Sequence, residues 1–258
     1  MKNIMKAQLF QILREKILWY TLVLCFLMQA VMFLLPVWLK TEKVTSAGEF
    51  FATNAGGMLF FPLIFMIIIT GQICGGDFLD KTHHYELLSG HKRGEVYLGR
   101  VIPAMLIAGI GGALLTYVPV VLYGLLYGWG NKIAWGAVVF RMGMLLFPIL
   151  RMVCEYAFLT FLVKNPYIMM GLGYGALMAA LYLGELMKSY NAFLGIINMI
   201  WLLEVEKWIT FGLGGDLNYI YEAALNGREI FQTILASLVF GGAALYLGYV
   251  YFKNNDLN

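Results

Sequence analysis

Charge is the scarcest ingredient of this chain. Asp, Glu, Lys and Arg make up 13% of its 258 residues against 61% hydrophobic, and the mean hydropathy is +0.75. So few polar groups cannot clothe one soluble core, which excludes an ordinary soluble domain and points to a protein that lives in lipid. Cysteine is sparser still. Cys25, Cys74 and Cys154 are an odd set, each in or beside an apolar run, which excludes a disulfide framework and reads as three small apolar residues. The histidines are His83, His84 and His91; adjacent histidines on a helix point about 100° apart, and no zinc-ligand spacing accompanies them, so no metal centre is expected. No H-E-x-x-H and no Ser-His-Asp grouping argues for an intramembrane hydrolase. No G-x-x-x-x-G-K-[ST] occurs either, so the chain has no phosphate-binding loop and is not itself an ATPase. A non-enzyme with no cofactor of its own is the expectation. The net charge of +3 needs no nucleic acid to explain it.

What is abundant is long apolar sequence. The length leaves room for about six spans of ~20 residues with their loops, hence one membrane domain over 1–258 and no large soluble one. Residues 1–16 carry Lys2, Lys6, Arg14 and Lys16 against Glu15, with Leu9, Ile12, Leu13 and Ile17 at helical spacing, the pattern of an interfacial amphipathic helix. The run that follows, 17–39, is too long for the core of a signal peptide and lacks a small-residue cleavage site, so it reads as a retained first span. Further spans are read at 50–76, 101–127, 133–163, 167–184 and 230–252. Gly109, Gly111, Gly112 and Pro119 predict a bend in the third, and Lys164-Asn165-Pro166 a turn before the fifth. The apolar middle of the 185–229 loop, Ser189 to Leu203, is about 15 residues, which suits a partly re-entrant piece better than a crossing.

Between the second and third spans lies the one strongly polar island, GGDFLDKTHHYELLSGHKRGEVYLGR, Gly75 to Arg100. Asp77 as N-cap, Asp80 in the first turn and Gly90 as terminator predict one short helix over 78–89, about 18 Å long, with Phe78, Tyr85 and Leu88 on one side. That is too short and too charged to span a bilayer, but long enough to seat in a partner's groove.

The order Asp77-Phe78, Thr82, Leu87-Leu88-Ser89-Gly90, Arg93, Tyr97 and Arg100, placed between spans two and three, resembles the ABC-2 family of ABC transporter permeases. The wording covers about two dozen residues, with Lys81 standing where that family often has Gly and His83-His84 an unusual pair. The resemblance implies an all-α membrane fold of six spans whose island is a cytoplasmic coupling helix docking on a separate ATPase subunit. ATP and Mg would sit on that partner. Phe78, Thr82, Tyr85, Glu86, Leu87, Leu88, Ser89 and Arg93 are then the expected coupling residues.

Small residues at spacing four, Gly171, Gly175 and Ala179 in the fifth span, let helix backbones touch, either within the chain or between two copies. The resemblance implies pairing of two copies through the first and fifth spans, with Thr21, Cys25 and Gln29 as a candidate pathway face. Intramembrane charge is confined to the fourth span: Arg141, about 12 Å from its start and read as snorkelling to the outer headgroups with a substrate-facing role as the alternative, and the i,i+4 pair Arg151 and Glu155, read as structural.

Cations orient the chain. Lys2, Lys6, Arg14, Lys16, Lys81, Lys92, Arg93, Arg100, Lys164 and Lys253 fall on one side, against Lys40, Lys43, Lys132, Lys188, Lys207 and Arg228, which predicts both termini and the island inside. The expected role is the permease subunit of an exporter in a bacterial plasma membrane, in contact with membrane lipid. Its cargo by resemblance would be an amphipathic peptide, bacteriocin, lipid or hydrophobic drug. The alternative is a non-transporting scaffold or sensor whose island binds another soluble partner.

Overall fold

Inside lipid a backbone has no water to bond, so each apolar run must satisfy its own amides, and a helix does this within one segment. The structure, a computed structural model, describes residues 2–39, 46–79, 87–130, 135–188 and 227–254. Among these the regular elements are all helical. They are α1 (Lys2–Arg14), α2 (Lys16–Gln29) continued by a π-helical stretch (Ala30–Leu34) and α3 (Leu35–Trp38), then α4 (Ala47–Leu79), α5 (Arg93–Tyr127), α6 (Trp135–Val163), α7 (Pro166–Lys188) and α8 (Gly227–Asn254). A helix therefore covers each of the six apolar runs. Three stretches are long and apolar enough to cross a membrane, Arg93–Tyr127, Leu146–Val163 and Thr233–Asn254, and the bent α1–α2 pair makes a fourth if it is counted as one span.

α4 is the hub. From Phe61 to Cys74 it buries side chains all round, including Phe65, Met66, Ile67, Ile69 and Ile73, and it packs against α2, α5, α6 and α7. A helix apolar on every side belongs in the middle of its bundle. The glycines of α5 serve that packing. Phe65 lies across Gly111, Met66 Sδ would stand 3.3 Å from a Cβ at Gly112, and Leu150 of α6 3.1 Å from one at Gly109. The predicted bend does not interrupt α5, which runs as one 35-residue helix through Pro103 and Pro119. Its glycines are filled by neighbours on two sides, from α4 and α6.

The turn at 164–166 forms as the sequence reads. Lys164 takes φ 56°, Asn165 Oδ1 accepts the Tyr167 and Ile168 N–H groups at 2.9 and 3.2 Å, and Pro166 opens α7. The amino-terminal helix is distinct from the first span: α1 meets α2 at 56°. The bend is closed by Trp19, whose Nε1 donates to the Leu13 carbonyl at 2.9 Å, while Arg14 at the end of α1 sits 4.1 Å over the Phe10 ring of the same helix. Ile4, Gln8 and Ile12 are buried, and Ile4 lies against Gly99 of α5, while Phe10 and Leu13 stay more than half exposed. One face of α1 is thus spent on protein and an apolar flank is left outside. The outer segment 189–226, with its predicted re-entrant piece, lies outside the described residues.

Candidate functional site

The polar island is shorter than its sequence implies because helix enters it from both ends. The predicted short helix with Asp77 as its N-cap is corrected: Asp77 lies inside α4, which continues to Leu79. Continuing the helix carries Phe78 inward, where its ring meets Phe161 at 5.9 Å and Phe252 at 6.4 Å between centroids. At the other end α5 starts at Arg93, not Val101, with Lys92 as its N-cap in extended backbone. Val96, Tyr97, Gly99 and Arg100 are all buried in its first turns, so Arg100, read from the sequence as a loop cation, is a wholly buried residue of α5.

Between these ends the described residues are few and specific. Leu87 packs against the core, Leu88 is 82% exposed, and Ser89 and Gly90 are exposed beside it. Gly90 takes φ +90° and its N–H reaches the Leu87 carbonyl at 3.1 Å, the left-handed residue expected to end the segment. His91 Nδ1 lies 3.5 Å from Glu95 Oε2. Thr82, Tyr85 and Glu86 lie outside the described residues. Of the predicted coupling residues, then, Leu88 and Ser89 face outward, Phe78 and Leu87 pack inward, and Arg93 donates from Nη1 to the Lys253 carbonyl at 2.6 Å.

What the sequence did not disclose is the platform beneath. Tyr97 stacks near Phe161, Tyr249 and Phe252 at centroid distances of 4.7, 6.0 and 6.1 Å, and Phe161 meets Phe252 at 5.3 Å. With Phe78, these rings come from the ends of α4, α6 and α8 and the start of α5. They form one aromatic cluster directly under the island. Four helix ends, α1 through Ile4, and the 164–166 turn through Gly75 against Pro166 thus meet at the same end of the bundle. A sequence signal for the cluster exists, since Phe78, Tyr97, Phe161, Tyr249 and Phe252 each sit at the polar edge of an apolar run, but nothing in the pattern pairs them.

The other predicted sites are dispersed. Cys25 and Gln29 are buried, with the Cys25 thiol 3.8 Å from the Phe61 carbonyl of α4, and Thr21 is half-buried, so this face turns toward the hub helix. Gly171, Gly175 and Ala179 are exposed on α7, and a Cβ at either glycine would meet nothing within 4 Å, whereas the intervening Gly173 lies against Ile67. Arg151 is buried and pairs with Glu155 at 2.8 Å. Arg141 falls in the second turn of α6, with its side chain outside what is described.

At the end of the bundle away from the island, an apolar cavity of about 500 Å³ opens between the α2–α3 span and α5, walled by Leu27, Val31, Leu35 and Trp38 on one side and Leu126 and Tyr127 on the other. Ala47 N–H bonds the Gly128 carbonyl at 2.9 Å, which holds the start of α4 to the end of α5 there. Among the described residues no three of His, Cys, Asp and Glu come together as a metal site. No protein-family model matches the chain, and no curated protein matches it.

Proposed function

We propose that the chain is the membrane-spanning subunit of an ATP-driven exporter, receiving force at the polar island from a separate cytoplasmic ATPase and working as a pair of copies. The observation that carries this reading is the build of the island. A bare apolar side chain, Leu88, and its polar neighbour Ser89 project from a platform in which α4, α5, α6 and α8 end together on stacked rings. A solvated connecting loop needs no such platform. A docking element does, because a push on an unsupported loop is dissipated before it reaches the spans.

The charge pattern supports an inward-facing island. Lys92, Arg93, Lys164 and Lys253 cluster at the end where α1 packs, which agrees with both termini lying on the cytoplasmic side. The open small-residue face of α7 favours pairing between copies over packing within one, since none of the described side chains lies within 4 Å of a Cβ at Gly171 or Gly175. The residues Thr21, Cys25 and Gln29 turn toward α4 in one copy, so the pathway in this reading is bounded by other residues of the first helix, or opens only when that helix moves.

The test is recovery of an ATPase. Affinity purification of the chain from native membranes should bring down a nucleotide-binding subunit, and Leu88→Ala should reduce that recovery several-fold while the permease stays folded, since an exposed apolar anchor carries much of a docking helix's affinity. Recovery of a soluble partner without ATPase activity would instead favour a scaffold or sensor.

A further inference from the structure

α5 and α8 meet through a reciprocal pair of knobs and notches. Tyr97 of α5 lies over Gly248 of α8, where an added Cβ would stand 2.5 Å from the phenolic oxygen; Tyr249 of α8 lies over Gly94 of α5, where a Cβ would stand 3.0 Å from the ring. Each helix contributes one tyrosine and one glycine, and each ring sits on bare backbone. Two hydrogen bonds flank the contact. The Tyr97 hydroxyl donates to the Leu245 carbonyl at 2.9 Å, and Arg93 Nη1 to the Lys253 carbonyl at 2.6 Å. Lys253 is in the last turn of α8, whose carbonyls have no amide ahead of them to accept from, so Arg93 supplies the missing donor from another helix.

We infer that this tyrosine–glycine lock makes α8 the output arm of the polar island, so that a displacement of residues 87–93 is delivered to the last helix directly and not only along α5. The reasoning is mechanical. A side chain resting on other side chains can re-pack when its neighbour moves, but a ring seated in a glycine notch can leave only by lifting the whole helix, because close-packed interiors shift between discrete arrangements. The lock begins at Arg93, within five residues of exposed Leu88. On its far side α8 packs on α6 along a longer stretch than it does on α5, with Gly241 against the Arg151 backbone and Phe252 on Phe161. What reaches α8 therefore reaches the α6–α8 pair. The lock is built into one chain and stands whether or not the soluble partner is an ATPase.

Amide hydrogen exchange on the purified chain in lipid nanodiscs tests it, with the change made on one helix and read on the other. Tyr249→Ala, a substitution on α8, should speed exchange in residues 87–91 by about tenfold, while peptides of α4 within 61–76 keep their parent rates and report an intact hub. Tyr97→Phe keeps the ring and removes only the hydroxyl bond, and should speed exchange in 245–249 by about fivefold, the loss of one neutral hydrogen bond. If Tyr249→Ala speeds exchange in α8 alone and leaves 87–91 unchanged, the two elements are merely adjacent and the inference is overturned. Should Tyr249→Ala fail to fold, Tyr249→Leu, which removes the ring over Gly94 with less loss of volume, is read at the same 87–91 and 61–76 peptides, and unchanged exchange in 87–91 overturns the inference.

Discussion

Arg151 and Glu155 form an ion pair within one helix, Nε to Oε1 at 2.8 Å, one turn apart on α6, and Phe240 of α8 lies 5.2 Å from the guanidinium carbon. The arginine is buried and the glutamate partly open, so the Arg151 charge is neutralised locally and lidded by the last helix. Glu155→Gln leaves the arginine buried against a neutral partner and should cost about 2–3 kcal/mol in detergent unfolding titrations. Replacing both by Met and Leu should recover most of that loss. A double variant as unstable as the single one would mean that the pair has a role beyond mutual neutralisation.

Two glycines of α7, two residues apart, separate pairing from folding. Gly173 faces Ile67, with a Cβ there 3.0 Å from Cγ2, and Gly173→Leu should damage the monomer by about 1–3 kcal/mol through overpacking. Among the described residues nothing lies within 4 Å of a Cβ at Gly175, so Gly175→Leu should leave the monomer intact yet abolish cross-linking between cysteines placed near the ends of α7 in two copies. Wild-type cross-linking in the Gly175 variant would move the contact between copies to another face.

Adjacent glycines at the end of α4 make a similar contrast. A Cβ at Gly75 would lie 2.8 Å from Thr160 Cγ2 and 3.2 Å from the Pro166 nitrogen, while one at Gly76 meets only the Gln72 amide at 3.6 Å. Gly75→Ala should therefore lower the melting temperature, losing about 1–3 kcal/mol. Gly76→Ala should raise it, gaining up to about 1 kcal/mol because alanine favours the helix. Thermal unfolding of the two variants side by side checks the docking of α4 on the 164–166 turn.

Topology is tested by thiol labelling. With Cys25, Cys74 and Cys154 replaced, single cysteines at Gly90 and Asn218 should react with an impermeant maleimide from opposite sides of the membrane, and one at Asn254 from the same side as Gly90. Labelling of Gly90 and Asn218 from one side would break the six-span reading.

The helices themselves were legible, because apolar runs between charged edges leave the backbone one solution in lipid, and so was the 164–166 turn, whose Asn-Pro chemistry is local. Gly90 likewise announced its positive φ. The ends of the island were not legible. Asp77 has the chemistry of an N-cap, but Phe78 beside it has ring partners on α6 and α8, and tertiary packing outweighed the local signal. Arg100 read as solvated for the same reason in reverse: it lies in the buried start of α5, beside Gly99 on which Ile4 of α1 packs, and no window of sequence shows a helix folding back from the chain's beginning. Thr21, Cys25 and Gln29 share a face by their spacing, but spacing alone does not say whether a face looks at a pathway or at a hub.

The π-helical stretch Ala30–Leu34, where the Leu35 N–H reaches back to the Ala30 carbonyl, stores slack in the first span. It holds about one residue more than a regular turn, so tightening it to α geometry would rotate the outer part of that helix by roughly 100° and shift it by about 1.5 Å along its axis. Leu35 and Trp38 would swing with it, and the cavity they wall against Leu126 and Tyr127 would change shape with no change at the buried Cys25 and Gln29 below. The first span is thus fixed to the hub at its base, with the extra residue stored above Gln29.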